Sequence, residues 1–132
     1  MTSGREVEYL DPEDVEALLD EEGFHFKDGA RGRSLMLSAL AAPMPVFGEE
    51  VHPSLEEKAA ALLLAVMRNH PLADGNKRLA WFVTVAFLEL NVVDLVVDDV
   101  AEADRFLREV AAGAVDLDGV AAWVCARIRP IV

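Results

Sequence analysis

The sequence predicts an all-α protein, a compact helical bundle with a buried central helix. Several segments repeat apolar residues at helical spacing, and capping residues, Gly and Pro separate those segments. Only one short stretch has the β-branched composition of a strand. The 132 residues, 53% of them hydrophobic, are enough for one core, so we expect a single domain over residues 1–132.

The first two predicted helices are short. In "YLDPEDVEALLDEEG", Asp11 is placed to cap a helix that starts at Pro12 and stops at Gly23. The turn-rich "FHFKDGARGR" precedes a second helix in "SLMLSALAAP", which ends at Pro43. The next stretch, "MPVFGEEVHP", predicts an irregular loop or a small hairpin.

The next two helices are predicted to form the centre of the bundle. Ser54 and Glu57 form a capping box, and the helical pattern continues through Met67. "PLADG" then has turn chemistry, and residues 76–90 are again helical. This second segment is apolar nearly all round, so we expect it to be buried in the middle of the bundle.

The last third of the chain predicts two more helices, "DDVAEADRFLREVAAGAV" and "DLDGVAAWVCARI". Before them, "VVDLVV" predicts a short strand or an extended link. We expect Cys125 to be a buried structural thiol; as the single cysteine it can form no internal disulfide. Because the N-terminal residues also lack a signal-peptide pattern, a cytoplasmic location is expected.

Charge and hydropathy argue against two classes of partner. The net charge of −12 opposes the attraction to phosphate backbones that drives nucleic-acid binding, so no direct nucleic-acid partner is expected. The most apolar segment, residues 79–90, is much shorter than the roughly 20 residues that a membrane-spanning helix needs. No membrane association is therefore expected.

A cluster of cations follows a glycine at the predicted start of a helix, in "NHPLADGNKRLAW". A helix start offers unpaired amides to an anion, and Gly75 allows close approach to the backbone. Lys77 and Arg78 lie near the positive end of the helix dipole, which is unfavourable for cations. A bound anion between the two side chains and the helix start would remove that conflict. The pattern predicts a phosphate site that includes Gly75, Asn76, Lys77 and Arg78.

Two further residues beside this site have the chemistry of phosphoryl or nucleotidyl transfer. His70 supplies an imidazole, the side-chain type best suited to remove a proton near neutral pH, and Asp74 is a hard carboxylate ligand suited to Mg²⁺. A simpler alternative is open from the residues alone: Pro71 ends a helix, Asp-Gly forms a turn, and the cations are solvated first-turn residues.

The nonapeptide "HPLADGNKR", His70 through Arg78, resembles the Fic/Doc motif, in which His-x-Phe-x-Asp/Glu-Gly/Ala-Asn precedes Gly/Lys-Arg. The lysine variant is similar to the Doc branch. The similarity extends from "SLMLSAL" to "FLELN", more than half of the chain. The resemblance implies a Fic-type helical fold and a toxin that transfers the terminal phosphate of ATP to a hydroxyl on elongation factor Tu. It also implies control by a small antitoxin with a flexible region that folds on binding.

The resemblance implies a role for each motif residue. His70 would be the general base and Asp74 the Mg²⁺ ligand. Gly75, Asn76 and Lys77 would line an anion hole, and Arg78 would bind a phosphate of ATP. Adenylylating Fic enzymes have glycine where Lys77 stands, so the resemblance favours a kinase. An AMP-transferring enzyme and an inactive binding module are the alternatives.

The chain departs from the family pattern in three places. Leu72 replaces the motif phenylalanine, Gly32 stands at an acidic position, and Leu37 replaces a glutamate, so activity could be altered. Residues 47–54 match the flap with which Fic-like proteins dock a target chain by strand addition. We expect structural or surface roles for His25 and His52.

Overall fold

The computed structural model describes residues 6–132, and its helices confirm the all-α class. In this described part of the chain, six helices are joined to one small antiparallel sheet of two short strands. In chain order they are α1 Pro12–Glu21, α2 Ala30–Ala41, α3 Leu55–Asn69, α4 Asn76–Leu90, β1 Val93–Leu95, α5 Val100–Ala111, α6 Leu117–Cys125 and β2 Ile128–Pro130.

The predicted start of α1 is confirmed, whereas α2 begins earlier than predicted. The Asp11 side chain accepts a hydrogen bond from the Glu13 amide at 2.8 Å. Helix α2 starts at Ala30 instead of Ser34 and so includes Gly32. A Cβ at Gly32 would clash with the Lys27 carbonyl oxygen and lie 2.6 Å from that of Pro71. The glycine therefore lets the first turn of α2 pack directly against backbone.

We expect Gly32→Ala to lower the free energy of unfolding by about 2 kcal/mol, because two backbone carbonyls cannot move aside cheaply. Helix propensity alone would favour Ala by about 1 kcal/mol, so the sign of the change reports the clash. Urea unfolding measures the effect, with the exposed Ser34→Ala on the same helix as control. Equal stability of Gly32→Ala and the wild type would contradict the packing argument.

Helix α3 lies at the centre of the bundle. Its capping box is present, with the Glu57 amide 3.1 Å from Ser54 Oγ, and the helix contacts α2, α4, α5 and α6. Helix α4 is buried on the side that includes Leu79, Val83 and Phe87, and another face is only half-buried. The sequence predicts burial nearly all round; the difference arises because α5 covers that other face incompletely, which leaves a groove.

The stretch after α2 forms a small hairpin, one of the two predicted outcomes. Val46 and Glu49 exchange both backbone hydrogen bonds at 2.9 Å. Phe47, at the tip, has a φ of 49° and a fully exposed side chain.

The C-terminal part differs from the sequence prediction in two details. β1 confirms the strand alternative, but its partner β2 was not predicted. Cys125 is exposed, so the expected burial of its thiol is wrong; Val120, Ala121 and Val124 form the buried side of α6 instead. Within residues 6–132, none of the helices combines the length and the apolar composition required to span a bilayer.

Candidate active site

The residues from His70 to Gly75 form a loop between α3 and α4 that pairs with residues 25–27 through backbone hydrogen bonds. The Ala73 amide donates to the His25 carbonyl at 2.9 Å, and the Lys27 amide donates to the Pro71 carbonyl at 3.0 Å. Leu72 is 2% exposed, so it fills the position of the motif phenylalanine as an apolar anchor. The loop therefore has a fixed backbone from which its polar side chains project.

Asn76 connects this loop to the start of α4. Its Oδ1 accepts from the Leu72 amide at 2.9 Å, and its Nδ2 donates to the Leu72 carbonyl at 3.0 Å. The same Nδ2 lies 3.0 Å from His70 Nδ1. The two bonds to Leu72 fix which way the amide faces, so Nδ2 donates to His70 and Nδ1 accepts.

This contact determines the resting state of His70. When Nδ1 of the neutral ring accepts a hydrogen bond, the ring proton is on Nε2. To take a proton from a hydroxyl, the ring must give up the bond to Asn76 or change tautomer. The side chain is exposed and follows the last turn of α3, with a left-handed backbone at φ 52°, so it has room to turn.

We expect Asn76→Ala to lower the free energy of unfolding by about 2 kcal/mol, because the buried amide and carbonyl of Leu72 would lose their partner. The same variant frees His70 Nδ1. Thermal unfolding measures the first effect, and NMR titration of the imidazole measures the second. Glu89→Ala, at an exposed position near the other end of α4, serves as the control. An Asn76→Ala protein as stable as wild type would contradict this assignment.

The start of α4 has the geometry of an anion site. Gly75 has a φ of 92°, and no side chain caps the helix. The first amide with a helical acceptor is that of Leu79, which donates to the Gly75 carbonyl. Among residues 6–132, the amides of Asn76, Lys77 and Arg78 thus have no acceptor and are available to a ligand.

The two cations are held on different sides of this helix start. Lys77 Nζ lies 3.5 Å from Asp104 Oδ1 of α5, and the Arg78 guanidinium lies over the Phe24 ring, 4.8 Å from its centroid. A hydrogen bond from Arg108, and secondarily the charges of Arg108 and Lys77, lower the pKa of Asp104 against a smaller opposing effect of desolvation. Asp104 is therefore anionic at neutral pH and pairs with Lys77.

Two neighbouring depressions meet at these cations. One, here called the motif cavity, has a volume of about 510 Å³ and is lined by His70 and residues 73–78 together with Met67 and Ala111. A mostly apolar groove of about 640 Å³ runs between α4 and α5, and Lys77 and Arg78 line both. The cavity has polar groups of the kind that bind phosphate. The groove between α4 and α5 is suited to apolar contacts.

The donor set at Asp74 fits Mg²⁺ shared with phosphates. Asp74 is exposed and lines the motif cavity. In the part of the chain that the structure describes, no three His, Cys, Asp or Glu side chains lie close enough to hold a metal by themselves, and this includes His25 and His52. Protein-bound Mg²⁺ commonly uses one or two carboxylates and completes its shell with substrate phosphates and water. One carboxylate beside an anion site agrees with that pattern.

The structure brings together all six residues that the sequence predicted for the site, and the roles assigned to them stay predictions. Sequence reasoning missed Phe24 and Asp104, which come from distant parts of the chain. Asp104 follows Ala103, a buried residue of α5, so a helical-wheel reading could have placed it at the edge of the packed face. No comparable local signal identifies Phe24.

Comparison with known proteins gives two matches. The model of the Fic/DOC family matches residues 9–88. A protein of Mycolicibacterium smegmatis named "Toxin Doc" is 44% identical over 118 residues, which cover 88% of this chain and 90% of that protein. The first match includes the whole of the motif cavity except Ala111.

Proposed function

Because the chain belongs to the Fic/DOC family, we propose that it is the toxin of a toxin–antitoxin pair and a protein kinase of the Doc type. It transfers the terminal phosphate of ATP to a hydroxyl of elongation factor Tu and thereby arrests translation. The 44% identical relative named "Toxin Doc" supports the toxin assignment. The proposed target places the activity in the cytoplasm.

The observation that carries the proposed chemistry is the uncapped start of α4, with free amides between two cations. Positioning and electrostatic stabilisation supply most of the catalysis in phosphoryl transfer, so a preformed anion site is the main requirement. The amides of Asn76 to Arg78 bind phosphate oxygens, and the side chains of Lys77 and Arg78 neutralise their charge. Lys77 leaves Asp104 for a phosphate when ATP binds.

His70 acts on the attacking hydroxyl. Its ring turns away from Asn76 and accepts the hydroxyl proton as the oxygen forms a bond to the γ-phosphorus. The bond between that phosphorus and the bridging oxygen breaks, and ADP leaves. Asp74 would hold Mg²⁺, and the bound ion would neutralise part of the phosphate charge.

AMP transfer is the second candidate function, and one observation favours it. Lys77 Nζ forms an ion pair with Asp104 of α5, so part of its charge is already paired outside the anion site. If it stays there during turnover, the bulk of Lys77 does not exclude the nucleotide pose of adenylylating enzymes. An inactive binding module is the third candidate, and the Asn76 contact that occupies His70 Nδ1 favours it.

The antitoxin is the proposed partner. Such a regulator has a flexible region that folds on binding, and a segment of that kind needs an apolar surface to fold against. The groove between α4 and α5, with Trp81 and Phe82 in its wall, supports this proposal. Co-expression with the neighbouring small open reading frame is expected to restore growth and to yield a stable complex.

Intact-mass analysis of elongation factor Tu after incubation with the protein and Mg-ATP tests the proposed reaction. A phosphate-sized gain supports the kinase, and an AMP-sized gain supports the second candidate. With no gain, a thermal shift with Mg-ATP decides between an enzyme for another target and the binding module, because a ligand that binds only the folded state raises its melting temperature.

A further inference from the structure

Lys58 is an unusual residue, a lysine in the hydrophobic core. It lies in the second turn of α3 and is 1% exposed. Lysine is almost never fully buried unless its charge is paired. A chain selected only for stability could place an apolar residue there, since such replacements of buried ion pairs are often neutral or stabilising.

The ammonium group of Lys58 joins three segments to α3. Its Nζ forms an ion pair with the Glu50 carboxylate and donates to the Pro43 carbonyl at 3.3 Å. The Tyr9 ring centroid is 5.9 Å away. Glu50 comes directly after the hairpin Val46–Glu49, so the buried charge is linked to the end of the hairpin.

The hairpin is short, and its apolar side chains are exposed. Its own pairing is limited to the two hydrogen bonds between Val46 and Glu49. The side chains of Val46 and Phe47 are 51% and 102% exposed, and that of Val51 is 53% exposed. These apolar side chains are largely exposed, and the Glu50–Lys58 ion pair ties the end of the hairpin to the buried side of α3.

Helix α3 ends at Asn69, directly before His70, the proposed general base. Lys58 and His70 are 12 residues apart on or directly after this helix, a span of about 18 Å at 1.5 Å per residue. A continuous helix with a buried face keeps that spacing nearly constant. A target segment bound to the hairpin would therefore lie at a fixed distance from His70.

We propose that Lys58 is a positioning residue for the protein target: it orients the hairpin so that a bound target segment presents its hydroxyl to His70. The inference rests on the proposed function and on the resemblance of residues 47–54 to the flap with which Fic-like proteins dock a target chain by strand addition. The edge of the hairpin supplies the backbone bonds, and Phe47 is free to contact the target. Lys58 touches neither nucleotide nor target.

Lys58→Met tests this assignment, because Met matches the length of the buried stem and removes the charge. We expect the amides of Val46 and Glu49 to exchange hydrogen about tenfold faster, while amides in α3 and α4 are unchanged. We expect KM for elongation factor Tu to rise by about tenfold, with kcat and the Kd for Mg-ATP unchanged. Glu50→Gln changes the more exposed partner of the ion pair, and it should also speed exchange at Val46 and Glu49 and raise KM. Glu89→Gln, which changes an exposed carboxylate near the end of α4, is the matched control and should change neither the exchange rates nor KM.

The two readouts separate the possible failures. Unchanged exchange at Val46 and Glu49 in both Lys58→Met and Glu50→Gln would overturn the anchoring role. Faster exchange with an unchanged KM would overturn the link to target docking. If the wild type modifies no elongation factor Tu, the proposed function fails, and the exchange experiment still decides whether Lys58 orients the hairpin.

Discussion

His70→Ala is expected to lower the rate of phosphoryl transfer by about 10²–10⁴-fold, the usual contribution of a general base. The affinity for Mg-ATP should stay within about twofold of wild type, because the proposed phosphate contacts come from Asn76, Lys77 and Arg78. The side chain is exposed, so its removal leaves no cavity. The melting temperature should fall only slightly, since Ala in the left-handed conformation costs about 1 kcal/mol.

His70→Asn is the better matched variant for this experiment. Asn tolerates a positive φ and retains hydrogen-bonding groups, but it cannot accept a proton near neutral pH. Stopped transfer together with wild-type stability in His70→Asn would assign the loss to proton transfer. Transfer at the wild-type rate by either variant would remove His70 from the mechanism.

Lys77→Gly is expected to change the product and not only the rate. Loss of the side chain removes a charge that binds phosphate and opens the start of α4 to the nucleotide pose of the adenylylating enzymes. Phosphoryl transfer should fall by about tenfold or more, and AMP transfer should become detectable. The product depends on which phosphorus lies in line with the hydroxyl at His70, so a changed pose alters the bond that forms.

Asp104→Asn is the control for the Lys77 experiment, because it releases the lysine from α5 without removing it. We expect tighter Mg-ATP binding by this variant and no AMP transfer, as one anionic competitor is lost and the bulk of Lys77 is kept. Mass analysis of elongation factor Tu, with the three proteins side by side, gives the products. Undiminished phosphorylation by Lys77→Gly would show that the lysine does not set the pose.

Features of the fold that depend on neighbouring residues could be predicted from the sequence. The caps at Asp11 and Ser54 are local hydrogen bonds with known residue preferences, so both helix starts were predicted correctly. The motif site was predictable for the same reason. Residues 70–78 are close in sequence, and a single turn followed by a helix start brings them together.

Features that depend on distant packing could not be predicted. The start of α2 depends on carbonyls of Lys27 and Pro71 that a glycine alone can approach. Likewise, the ion pairs of Lys77 with Asp104 and of Lys58 with Glu50 are set by how helices and loops pack. Residues 128–130 form β2 although the segment contains Pro130, because β1 offers it an edge to pair with. Patterns among neighbouring residues do not specify which distant residues pair with each other.

Transfer from ATP labelled at either the α- or the γ-phosphate tests the central claim most directly. Purified wild-type protein is incubated with elongation factor Tu and Mg²⁺, once with each labelled nucleotide, and the label on elongation factor Tu is measured. A Doc-type kinase transfers label from the γ position and none from the α position, and the antitoxin suppresses that transfer. Label from the α position alone, or from neither position, would contradict the assignment of this chain as a kinase of elongation factor Tu.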